Sequence, residues 1–133
     1  MRKIFKSIFF TGVIALLAVL LTSGMASAVT QVTNVQPNTD YQNGGTEILI
    51  DASIVCENVG DLVVFEAVQT QGRLMGIGVL EVECSGAGTI NGPFTIPVFD
   101  GIRFRSGPFT LWARIFDTNR VFLNGQGFQL KGK

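Results

Sequence analysis

The stretch Thr46-Glu47-Ile48-Leu49-Ile50-Asp51-Ala52-Ser53-Ile54-Val55-Cys56 decides how the chain is read. Side chains two apart in an extended chain share a face. Ile48, Ile50, Ala52, Ile54 and Cys56 therefore fall on one side, with Glu47, Asp51 and Ser53 on the other. One face is dry and one is wet, as in a strand that covers a core. A second run, Leu80 and Val82, ends in the same way at Cys84. Two inward-facing thiols predict a Cys56–Cys84 disulfide in the dry layer between two sheets. Closing a loop of about 29 residues stabilises the fold by roughly 3.5 kcal/mol in the chain-entropy account.

The N-terminal segment reads as a leader. Arg2, Lys3 and Lys6 precede an apolar run from Ile8 to Leu21, and Ala26-Ser27-Ala28 has the small-x-small form of a cleavage site. The run, about 14 residues, is short for a permanent span, which disfavours an uncleaved anchor. The expectation is a signal peptide over 1-28 and a single β-domain over 29-133, secreted to the extracellular space and free of the membrane after processing. Export also suits the cysteines, since oxidising compartments let one structural bridge form. Glu57 and Glu83 adjoin the thiols and disfavour a reactive thiolate. The whole chain carries 10 basic and 10 acidic side chains. Without the leader's cations about seven and ten remain, a balance with no pull toward nucleic acid or anionic membrane.

Turn signals recur every 8 to 12 residues or so, the rhythm of an all-β sandwich or barrel. Strands are expected over 29–35, 46–56, 62–71, 74–84, 89–99, 109–116 and 120–130, seven or eight in all. In 62–71 both faces are apolar (Val63, Phe65 and Ala67 against Leu62, Val64 and Val68), so the pattern leaves the inward face open. Gly76 and Gly78 weaken pairing or mark a bulge. Pro93 and Pro97 lack N–H donors and suggest an edge for Thr89 to Phe99, through which copies of the chain would assemble.

Taken together, Cys56, Val64-Phe65-Glu66-Ala67-Val68-Gln69-Thr70, Cys84 and Gly107-Pro108-Phe109-Thr110-Leu111-Trp112-Ala113-Arg114 make a recognisable set. In these features the chain resembles small secreted bacterial immunoglobulin-like β-sandwich domains. The resemblance covers most of residues 29–133 and implies an antiparallel immunoglobulin-like β-sandwich and a location, but no activity. The chain departs from antibody-type domains in three features: its cysteines are close in sequence, Trp112 follows both, and no tyrosine stands just before Cys84, where Val82 and Glu83 lie. No Asn-x-Ser/Thr acceptor is present, as fits a bacterial origin.

Candidate chemistry is sparse. The chain has no histidine, which removes Ser-His-Asp and Cys-His catalysis and histidine metal sites. Glu81 and Glu83 share one strand face at roughly 6.5 to 7 Å by strand rise. That spacing overlaps the separation of glycosidase acid pairs and makes a small glycoside hydrolase the alternative function. The simpler reading is a solvated face opposite Leu80, Val82 and Cys84. Glu57-Asn58-Val59-Gly60-Asp61 and Asp117-Thr118-Asn119 are oxygen-rich but lack calcium-loop spacing, and turns favour the same residue types. No cofactor or metal is expected. A secreted inhibitor or toxin would present Gly92-Pro93-Phe94 or Gly107-Pro108-Phe109 as a stiff loop.

The richest surface signal is basic and aromatic: Arg103, Phe104, Arg105, Trp112, Arg114, Phe116 and Arg120. Trp112 and Phe116 are same-face neighbours of Arg114, so its guanidinium can stack on either ring. Trp112, Arg114, Phe116, Arg103 and Arg105 are the candidate binding residues, for a glycan or a protein ligand. The structural alternative is that arginine stems cover exposed rings and pair across strands with the acidic first half of the chain, Glu81 and Glu83 for instance. The expected function is a non-enzymatic secreted module that binds or assembles.

Overall fold

The computed structural model describes residues 28–133. The leader read over 1-28 thus lies, but for Ala28, outside the described residues. The fold is all-β: β1 (Gln31–Thr33), β2 (Asn38–Gln42), β3 (Glu47–Ile50), β4 (Ser53–Cys56), β5 (Leu62–Gln71), β6 (Leu74–Glu83), β7 (Gly88–Asn91), β8 (Phe94–Gly101), β9 (Gly107–Phe116) and β10 (Phe122–Gly132). Seven of these close into a barrel in the order β9-β10-β2-β3-β8-β6-β5, and β1-β4-β7 form a separate three-stranded sheet. Pairing is antiparallel throughout except between β10 and β2, where Lys131 meets Asn38 and Gly132 meets Thr39 in parallel.

More strands are present than the pattern suggested, and for a definite reason. The alternation from Thr46 to Cys56 is unbroken, yet the strand changes partners midway. Its first half, β3, lies between β2 and β8, and its second half, β4, lies between β1 and β7. The expected strand 89–99 divides likewise at Gly92-Pro93 into β7 and β8. Backbone groups at the crossing stay satisfied: Gln36 donates to the Asp51 carbonyl at 2.9 Å and Gly92 to the Ala52 carbonyl at 2.8 Å. β2 is the addition that the pattern missed, because Pro37-Asn38 reads as a turn. The expected edge also needs correcting. β8 pairs with β3 on one side and β6 on the other, so within Thr89–Phe99 only β7 is an edge.

Ile48, Ile50, Ala52, Ile54 and Cys56 are all buried, as their spacing requires. They meet Val63, Phe65 and Ala67 of β5 and Leu111, Ala113 and Ile115 of β9, which settles the inward face of β5. Phe65 packs against Phe94 with ring centroids 5.3 Å apart. Each fully covered side chain of this size contributes roughly 1.5–3 kcal/mol. The bulge anticipated at Gly76 and Gly78 falls between Ile77 and Gly78, where β6 meets β8.

The disulfide Cys56–Cys84 is formed, with Cα atoms 5.8 Å apart. It ties the end of β4, in the three-stranded sheet, to the residue after β6 in the barrel. Cys84 is held further by backbone bonds with Asp61 and Gly60 at 2.8 Å each. The molecule thus has one end closed by backbone pairing and another where a sheet is fastened to the barrel by sulfur. Among the described residues, no helix is long and apolar enough to cross a membrane.

Candidate functional site

The outer face of β6-β5-β9-β10 carries the main surface feature. Trp112, Arg114 and Phe116 alternate along β9 with the buried Leu111, Ala113 and Ile115, so they must point outward. Register places Glu66, Val64 and Leu62 of β5 beside them on one flank. On the other flank stand Gly127, Gly125 and Phe122 of β10. A Cβ at position 127 would lie 2.8 Å from Cζ3 of Trp112, and one at 125 would lie 3.1 Å from Cζ of Phe122. The Trp112 ring therefore reaches over β10 into space that only glycine leaves free, while the Phe122 ring runs along its own strand in close approach to Gly125. Trp112 remains 40% exposed and Phe122 55%.

Arg114 organises this face. Its Nη1 donates to Glu66 Oε1 at 2.9 Å, and its guanidinium carbon lies 5.2 Å from the Trp112 ring centroid. Phe116 and Phe122 pack edge to face at 5.7 Å. Both partners of the ion pair are about one-third exposed, so it adds at most about 1 kcal/mol to stability. Its larger effect is to hold the guanidinium plane beside the indole while other N–H groups stay free.

The remaining predicted residues disperse. Arg103 and Arg105 are near Arg114 in sequence but sit in the loop before β9, at the closed end of the barrel. There the buried Gln69 gathers the chain. Its Nε2 donates to the Arg105 carbonyl at 2.8 Å and the Pro108 carbonyl at 3.2 Å, and its Oε1 accepts from the Arg105 N–H at 2.8 Å. Phe104 is core, packed with Tyr41 and Phe109. Gln69 also donates to the Tyr41 hydroxyl at 3.3 Å. Burial pushes the Tyr41 phenol up to about 12, partly offset by that bond. Arg103 and Arg105 therefore do not share a surface with Trp112, Arg114 and Phe116.

The two oxygen-rich turns come together at the other end. Thr118 Oγ1 donates to the Val59 carbonyl at 3.0 Å, and Asn58, Asp61, Asp117, Thr118 and Asn119 line one open cleft of about 310 Å³. Its members are already engaged. Asp61, 2% exposed, accepts from Thr30 Oγ1 at 2.6 Å, and Asp117 Oδ1 accepts the N–H groups of Asn119 and Val121. Arg120 bonds the Gly60 and Asp117 carbonyls beside it. Among the described residues, no group of three or more His, Cys, Asp or Glu side chains is placed to hold a metal ion.

Glu81 and Glu83 are exposed on the outer face of β6. The expected cross-strand pairing occurs between Arg114 of β9 and Glu66 of the adjacent β5 rather than with Glu81. Glu83 lies 3.7 Å from Arg120, which sits in the turn between β9 and β10. Phe94 and Phe109 of the two Gly-Pro-Phe segments are buried in β8 and β9, so neither segment presents its ring as a loop.

Sequence reasoning missed Phe122, Gly125 and Gly127, although two glycines on one face of a strand beside a tryptophan are a legible sign of a ring crossing over. Neither a protein-family model nor a curated protein matches the chain by sequence, so the functional reading rests on this geometry.

Proposed function

We propose that the protein is a secreted, non-enzymatic binding module whose ligand, a glycan, lies on the outer face of β9 and β10. The observation that carries this reading is the glycine bed: Gly127 beneath Trp112 and Gly125 beneath Phe122. A ring laid over the neighbouring strand, with a second lying along that strand, offers an aromatic surface level with the sheet, suited to the apolar face of a sugar. Arg114, steadied by Glu66, adds donors at its edge for hydroxyl or carboxylate groups. Secretion is supported by the Cys56–Cys84 bridge, which oxidising compartments favour. An immunoglobulin-like ancestry is supported by the antiparallel pairing and the bridge between layers, and the closed barrel half is its departure.

Trp112 is the single tryptophan, so its emission reports on the site directly. Titration with neutral and uronic-acid polysaccharides should shift that emission, and the Arg114→Ala variant should weaken the acidic ligands about tenfold or more. Emission unchanged across the panel, or retention on a polysaccharide gel that survives both Trp112→Ala and Arg114→Ala, overturns the proposal.

A further inference from the structure

Strand β10 is unequally partnered. One side pairs with β9 along nearly its whole length, whereas the other meets β2 only at Lys131 and Gly132. Among the described residues, no strand pairs with that second side from Phe122 to Gln129. The direction of its backbone groups follows from one bond: Lys131 donates away from β9, to the Pro37 carbonyl at 2.8 Å. Pro108, which has no N–H to give, stands opposite Lys131 on β9. Alternation then turns the N–H and C=O of Gln129, Gly127 and Gly125 to the same outer side. The Gly125 N–H is held by Asn124 Oδ1 at 2.8 Å. By the same alternation those of Gly127 and Gln129 point away from β9, to a side where no strand among the described residues pairs with them.

Edges of this length are normally blunted by charge, proline or a bulge along their course. This one has no charged residue and no proline from Val121 to Leu130, and its irregularity lies at its start, where Phe116 faces Phe122. Val121, Phe122 and Leu123 are exposed there.

We propose that this edge joins a second copy of the chain, antiparallel, about a two-fold axis at Gly127. Charge and symmetry choose the occupant. The outward-facing residues Gly125, Gly127 and Gln129 are centred on Gly127. A two-fold axis there sets Gly127 against its own copy and Gly125 against Gln129, so the N–H groups of Gly127 and Gln129 each meet a carbonyl of the copy, while the Gly125 N–H keeps its bond to Asn124. No side chain stands on the axis to collide. A charged peptide finds no counter-charge on this strand, whereas an identical neutral strand brings no like charges together. The wall β6-β5-β9-β10 then runs on into its copy and places the two Trp112 residues on one surface, three strand spacings or roughly 14 Å apart.

The test is sedimentation velocity over a wide concentration range, on protein exported and purified after expression of the full chain. The sedimentation coefficient should rise toward that of a dimer. Gln129→Pro removes an outward donor together with the Gln129–Thr110 side-chain bond, and Gln126→Lys sets a charge on the strand while its backbone stays paired with Ala113 of β9. Each should weaken association about tenfold or more while circular dichroism stays unchanged. A chain that remains monomeric throughout, or a dimer that Gln126→Lys leaves undiminished, overturns the proposal.

Discussion

The two ends of this molecule are held shut by different means. At the closed end the strands pair all the way round, and the loop before β9 is drawn in by one buried amide, Gln69, which bonds Arg105 and Pro108. At the other end β1-β4-β7 share no ladder with the barrel, and Cys56–Cys84 makes the join, with the buried Thr30–Asp61 bond beside it. A wall closed by hydrogen bonds distributes its restraint over many residues. A sheet fastened by sulfur concentrates it in one.

Replacing both Cys56 and Cys84 by Ala should break that contrast most severely. About 3.5 kcal/mol of stability should be lost, read from urea unfolding. Amide exchange should accelerate first in β4 and β7 and last in β5 and β9; uniform acceleration would mean that the two ends are one cooperative unit. Gln69→Leu attacks the closed end. It strands the Arg105 N–H and two carbonyls at an expected cost of about 2 kcal/mol, with faster exchange at Arg105 and none of the loosening at β4.

Tyr41 sharpens the comparison more gently. An acid whose pKa rises on folding keeps its proton better in the native state. Stability should therefore be indifferent to this group below pH 10 and should fall between pH 10 and 12, as the unfolded chain ionises first. The slope is at most about 1.4 kcal/mol per pH unit, lessened because solvent reaches part of the ring. Tyr41→Phe should remove this component. As the sole tyrosine, Tyr41 can also be titrated directly by its phenolate absorbance.

What could be read from the chain beforehand follows this division. The inward set Ile48 to Cys56 and its partner cysteine were legible because burial on one face imposes a period of two. The same regularity hid the exchange of partners at Asp51-Ala52, since a strand keeps its inward face when its neighbours change. The inward face of β5 was ambiguous because Leu62, Val64 and Val68 are themselves half-covered by outer-face neighbours. Trp112, Arg114 and Phe116 were legible as a group because they lie on one strand. Arg103 and Arg105 were grouped with them only by proximity along the chain, and they lie in the loop that ends where β9 begins at Gly107, apart from the middle of that strand. Gln69 gave no signal, because a polar side chain at an inward position has meaning only once the loop it bonds is known.

The parallel contact of β10 with β2 carries a consequence for how the molecule is made. It sets Asn38 beside Lys131 and Thr39 beside Gly132, residues from opposite extremes of the described chain. The hoop cannot be completed until almost everything between them has emerged and found its place. Early β2-β3 and β5-β6 hairpins can form locally, but the final seam waits for the last strand, so ring closure is the step where a slow, long-range search is concentrated.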